Sequence, residues 1–195
     1  MNLTSFEYKK SQYDYPNQNI GQNVFNGCTL LKDVKLPNTL ETIGDYAFYN
    51  CSSLLQFKIP EGVKTIGGYA FSGCKMLDTV SIPSTTESIG ASCFRSCSAL
   101  KNVIIAKGDM DAKINYEAFK YCTSLTDISI PGNYVSIAGS VFTNCTNLTR
   151  FSWEKGNYGY NNQTLGESVF SENGKLSVVS LPSTLGTIDE KAFYN

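Results

Sequence analysis

Apolar positions recur along this chain with a nearly fixed period. Phe25, Phe48, Phe71, Phe94, Phe119, Phe142, Phe170 and Phe193 fill one slot in eight copies of a unit; five of the seven intervals are 23 residues, the others 25 and 28. Three residues after the Phe stands a cysteine, from Cys28 through Cys145, replaced only by Asn173 among the complete units. A leucine follows (Leu31, Leu54, Leu77, Leu100, Leu125, Leu148, Leu176), then two apolar positions spaced by two, such as Phe57 and Ile59 or Val80 and Ile82. Spacing by two with a polar residue between predicts a short strand with alternate side chains inward. Pro37, Pro60, Pro83, Pro131 and Pro182 follow these strands, and proline ends a ladder. The next anchors are Ile43, Ile66, Ile89, Ile114, Ile137, Leu165 and Ile188, most followed by Gly or a small residue. The segment from this anchor to the Phe is too short for an ordinary helix and reads as a second short strand or a turn-rich piece.

A unit of this size cannot bury its own apolar face, so the copies must stack. The fold expected is a repeat solenoid of the α/β type but dominated by β-structure. It is a right-handed coil with a parallel sheet on one wall and like residues in columns inside. At about 4.8 Å per rung the array is about 35 Å long. The solenoid is expected over residues 20–195, ending in the middle of a unit as a fragment would. Residues 1–19 are expected to be a divergent first unit or a cap.

Composition narrows the functions. A formal charge of −1 offers no field for nucleic acid. No apolar run approaches the length of a membrane span, and the polar first 20 residues hold no signal peptide. Histidine is absent, which removes the commonest general base and metal ligand. The seven cysteines keep the period of the coil rather than the spacing of a metal knuckle, so they read as buried free thiols. Ser98 and Lys101 match a Ser-x-x-Lys element but have none of its partner motifs. Asp109 and Asp111 lack the other oxygen ligands of a calcium loop. No catalytic residue, cofactor site or metal site is therefore expected.

The unit resembles the BspA-like, or Treponema-type, leucine-rich repeat, which reads Leu-x-x-Ile-x-Ile-Pro-x-x-Val-x-x-Ile-Gly-x-x-Ala-Phe-x-x-Cys. Residues 54–74, LLQFKIPEGVKTIGGYAFSGC, match it nearly place for place. The resemblance implies a leucine-rich-repeat coil, a cell-surface or secreted setting, and non-enzymatic adhesion or protein binding. It carries no shared set of ligand residues. Protein is the first partner expected and glycan the second; the alternative is an architectural spacer without a ligand of its own.

Two candidate surfaces stand out. Unit four has extra residues around Lys107–Lys113, and unit six has more in Glu154–Thr164, both at the loop between the strand and the next Ile. Such insertions often map to a binding face. The larger one carries Asn157, Tyr158, Tyr160, Asn161 and Asn162, rings and amides suited to peptide or glycan contact. The second candidate is the outward face of the first strands, with Lys35, Lys58, Asn102 and Arg150. Trp153 occupies an inward slot and is expected in the core.

Overall fold

The computed structural model describes residues 2–8, 18–156 and 163–194. Each turn of the coil contributes two short strands and one turn-rich segment. The first strands are β1 (Ser5–Glu7), β3 (Asp33–Lys35), β5 (Gln56–Lys58), β7 (Thr79–Ile82), β9 (Asn102–Ile105), β11 (Asp127–Ile130), β13 (Arg150–Trp153) and β15 (Val178–Ser180). The second strands are β2 (Gln18–Ile20), β4 (Leu40–Ile43), β6 (Thr65–Ile66), β8 (Ser88–Ile89), β10 (Ala112–Ile114), β12 (Tyr134–Ile137), β14 (Gln163–Leu165) and β16 (Leu185–Ile188). All pairings are parallel, and no α-helix occurs among the described residues, so none is long and apolar enough to cross a membrane.

The repeat solenoid stands as expected, and strands line two of its walls, the second strands ending at the Ile anchor rather than following it. The second strands form one continuous eight-stranded sheet, while the first strands fall into three separate sheets, β1-β3, β5-β7-β9 and β11-β13-β15. Continuity of the second wall follows from the residues around its Ile anchor. The position before it is Thr in four strands (Thr42, Thr65, Thr164, Thr187), Ser in two (Ser88, Ser136), Asn19 in the first and Lys113 in the fifth, mostly small hydroxyl residues tolerant of a half-exposed strand. The glycine after it lets the rungs close up: a Cβ on Gly67 would lie 2.5 Å from the Asp45 nitrogen, and one on Gly90 2.4 Å from the Gly67 carbonyl carbon.

Within the N-terminal stretch, β1 pairs with β3 in register Phe6↔Val34, and the Phe6 ring meets Phe25 edge-on at 4.8 Å. β2 straddles the boundary drawn at residue 20 from the sequence and opens the long sheet.

Inside the coil the columns form as the period requires. The Phe rings from Phe25 to Phe193 stack with centroids 5.0–5.7 Å apart and planes within 8–18° of parallel. Parallel rings at that spacing add to the burial of the column. Beside them run the leucines from Leu31 to Leu148, all fully buried. The seven cysteines are free and buried. Each thiol from Cys51 to Cys145 in the repeat slot donates to the Phe carbonyl one rung earlier, at 3.1–3.2 Å. Asn173 takes over the same task, its Nδ2 donating to the Phe142 carbonyl at 3.0 Å. The slot therefore selects a small buried donor rather than sulfur as such. Burial pushes the Cys51, Cys97 and Cys145 thiols up to about 12, which makes them poor nucleophiles.

The turn-rich segment closes the third side. It places a non-glycine residue at positive φ two positions before the Phe in every unit, among them Tyr46 (57°), Tyr69 (55°), Glu117 (57°) and Lys191 (55°). Left-handed backbone at such residues costs about 1–2 kcal/mol each, offset by the inter-rung bonds the turn makes, such as Phe48 N–H to the Ala70 carbonyl at 2.7 Å.

Candidate functional site

The insertion side is built from the backbone outward. In the shorter insertion, Gly108 N–H donates to Asn133 Oδ1 at 3.2 Å, and Asn133 Nδ2 donates to the Met110 carbonyl at 3.1 Å. The Ala112 N–H reaches the Asn133 carbonyl at 2.9 Å. One buried asparagine on the next rung thus fixes both arms of the loop. Gly108 has no room for a side chain, since its Cβ would lie 2.2 Å from the Ser84 carbonyl oxygen. The outcome is a braced tip on which Met110 is 64% exposed, between exposed Asp109 and Asp111.

The base of the larger insertion stacks on the same corner. A Cβ on Gly132 would clash with the Lys155 carbonyl, so the Lys155–Gly156 backbone lies directly against Gly132, the neighbour of Asn133 in the chain. Asn157, Tyr158, Tyr160, Asn161 and Asn162 lie outside the described residues. The far end of the insertion is shorter than the sequence suggests. Gln163 and Thr164 belong to β14, and Gln163 is buried with its Nε2 donating to the Tyr134 carbonyl at 3.1 Å. Trp153 sits in the core as expected, 2% exposed, and its Nε1 donates to that same carbonyl at 3.1 Å. Thr184 donates to Gln163 Oε1 from the next rung. The two insertions therefore rise from one rigid corner, joined through Gly132 and Asn133.

The second candidate does not form one patch. Lys35, Lys58, Asn102 and Arg150 are all exposed, but they occupy two outward columns. Lys58 aligns with Ser81, whereas Gln56 aligns with Thr79 and Asn102. Arg150 lies beyond the break that separates β9 from β11. Asn102 Nδ2 is engaged by Thr79 Oγ1 at 3.3 Å.

Sequence reasoning missed the turn wall. Tyr46 and Tyr69 share the slot two before the Phe and stack at 4.9 Å with planes 2° apart; Tyr49 meets Tyr46 edge-on at 5.6 Å. Farther along, Glu117 is paired with Arg95 and, at 2.7 Å, with Lys120. Burial alone would raise the Glu117 carboxyl. The hydrogen bond from Lys120 and the charges of Arg95 and Lys120 outweigh it and hold the group below the ordinary carboxylate range. Arg95 and Lys120 both lie over the Tyr121 ring, at 5.1 and 5.6 Å. The signal was the 23-residue spacing of Tyr46 and Tyr69, which marks a column as surely as the Phe spacing does. Among the described residues no group of three His, Cys, Asp or Glu side chains could hold a metal ion, and Asp109 and Asp111 find no third ligand.

Two walls of parallel strands, a wall of turns and inward columns of Leu and Phe define a leucine-rich-repeat β-solenoid. The BspA type leucine-rich repeat region matches residues 18–111 and 112–195 in six copies, and the chain belongs to that family. A leucine-rich repeat protein of Treponema pallidum has the same fold with a TM-score of 0.70 at 23% identity, over 90% of this chain and 79% of that one. One from Eubacterium ventriosum gives 0.72 at 21% identity, over 90% of this chain and 57% of that one. The pneumococcal vaccine antigen PcpA gives 0.54 at 14%, over 94% and 62%. At these identities the likeness is one of fold. No curated protein matches the chain in sequence.

Proposed function

We propose that this chain is a non-enzymatic protein-binding module of a cell-surface or secreted repeat protein, with the insertion corner as its contact edge. The observation that carries this reading is the braced loop at Asn133. It holds Met110 out in solvent beside the base of a second insertion, and nothing in the packing of the coil needs that exposure. Preorganised exposed side chains bind with less ordering cost. Family membership supports a binding role and a surface setting. Protein is favoured over glycan because the turn-wall rings of Tyr46 and Tyr69 stack on one another rather than lying open as a platform for a sugar.

The test places a photo-crosslinking residue at Met110, and separately at the exposed Thr187 on β16, the edge strand of the second wall. The binding reading expects one defined protein adduct from position 110, formed on cells or in matrix extract, and none from 187. Changing Met110, Tyr158 and Tyr160 together to Ala should then weaken that contact more than tenfold, since buried anchors each contribute about 2 kcal/mol or more, with the thermal midpoint nearly unchanged. A spacer would give no defined adduct from either position.

A further inference from the structure

The wall of first strands opens between β3 and β5, and the opening has the chemistry of a missing strand. In the intact part of this wall, Ile59 N–H donates to the Ser81 carbonyl at 3.0 Å and Asp78 N–H to the Leu55 carbonyl at 2.9 Å. The equivalent pairs one rung earlier, Leu36 with Lys58 and Leu55 with Lys32, make no backbone bond. Peptide groups alternate in direction along a strand. Leu55, Phe57 and Ile59 face β7, so the N–H and C=O groups of Gln56 and Lys58 face β3 and lack a ladder there. β3 and β5 form no ladder and stand farther apart than paired strands do, which lie about 4.8 Å apart. Two such spacings would accommodate one added strand. At the second break, β9 and β11 stay closer together.

The side chains around the opening agree. Phe57, Ile59, Val80 and Ile82 are buried in their columns, but Val34 and Leu36, in the same columns beside the gap, are half-buried. An open concavity of about 500 Å³ lies here, lined by Phe6, Glu7, Asp33, Val34, Lys35 and Gln56 among others. Its two carboxylates and one ammonium form no ion pair with one another. Unpaired strand edges over an apolar floor are what a peptide added as a strand requires.

We propose that the gap between β3 and β5 is a binding slot for an extended peptide segment of a partner protein, taken up as an additional parallel strand. This rests on the protein-binding reading above and names a second, separate contact. The peptide that fits has β-branched residues facing Val34 and Leu36 and basic groups near Glu7 and Asp33. Main-chain bonds to Gln56 and Lys58 would supply the affinity and the alternate side chains the specificity.

The probe is the chain's own strand pattern as a free peptide, residues 99–107 (ALKNVIIAK), acetylated and amidated. It keeps Val103 and Ile105 spaced by two and carries two lysines. In the full chain without peptide, the amides of Gln56 and Lys58 should exchange with solvent at least a hundredfold faster than those of Val80 and Ser81. With millimolar peptide, their exchange should slow at least tenfold and their amide resonances should shift. The same peptide N-methylated at alternate residues should bind at least tenfold more weakly, a control that leaves the protein untouched. Slow exchange at Gln56 and Lys58 in the free protein overturns the slot, because the ladder would then be closed in solution. So does a response confined to other rungs, or equal binding of the N-methylated peptide. If these fail while position 110 still yields its adduct, the slot alone falls and the module reading stands.

Discussion

At the residue scale, the cysteine slot shows what the interior of a tight coil demands. The Phe carbonyl one rung back accepts a backbone N–H from the residue three places on, as Phe25 does from Cys28 at 3.0 Å, and the slot supplies a second donor to its remaining lone pair. A thiol is a weak donor, but it is small and otherwise behaves as an apolar group. Asn173, fully buried, shows that a stronger donor also fits. Asn173→Cys should therefore change stability by less than about 1 kcal/mol, the net worth of a typical hydrogen bond. Asn173→Leu, which fills the space but leaves the Phe142 carbonyl with the Cys145 N–H alone, should cost about 0.5–1.5 kcal/mol more than Asn173→Cys, the net worth of one hydrogen bond. Urea midpoints of the two variants decide this. Equal losses would mean that the slot selects size and not a donor.

At the element scale, rung spacing in the second wall is set by the glycine after the Ile anchor. Gly67→Ala puts a methyl group 2.5 Å from the backbone of Gly44 and Asp45, and no flexible side-chain end can yield. Overpacking of this kind costs about 1–3 kcal/mol. The thermal midpoint should fall accordingly, whereas Gly174→Ala, with nothing within 4 Å, should leave it almost unmoved. The glycine column was visible in the sequence, as were the Phe, Leu and Cys columns, because each repeats one residue type at one interval. Other features were hidden for physical reasons. The positive-φ positions two before the Phe are filled by Asn, Tyr, Ser, Glu and Lys and never by glycine, so that turn leaves no uniform compositional mark, although the column two after the Phe holds Gly27 and Gly73. The division of strength between the walls was also hidden. The first strands have the cleaner alternation, but it is their wall that breaks, while the strands of two to four residues ending at the Ile anchor run unbroken. The insertions at Lys107–Lys113 and Glu154–Thr164 were legible as departures from the period. Their union through Asn133 was not, because Asn133 stands in a unit of ordinary length and its role depends on which loop lies above it.

At the scale of the whole molecule, each rung touches only its neighbours, so stability should behave as a sum of units and interfaces rather than as one indivisible core. Removing one period tests this. Deleting residues 67–89 joins Ile66 to Gly90 and keeps every column in register: Phe48 comes to lie on Phe94, Cys51 on Cys97, and β5 beside β9. The deleted unit carries no insertion, so the hydrogen bonds of the Asn133 corner stay within the retained chain, with Glu61 taking the place of Ser84 beside Gly108, and the gap between β3 and β5 is retained. The shortened chain should fold, keep its β-type circular dichroism, and melt lower by a few degrees, the response to losing about 1–2 kcal/mol in a domain of this size. Deleting only residues 67–78 joins Ile66 to Thr79 and runs one strand straight into the next. That brings Pro83 where a Phe should stand and throws every later column out of phase. This variant should show no cooperative transition. If both deletions unfold alike, the array is a single cooperative core, and nearest-neighbour additivity is the wrong description of it. If the full-period deletion folds and still gives the photo-crosslink from Met110, the binding corner is a property of units four to six and does not depend on the length of the coil.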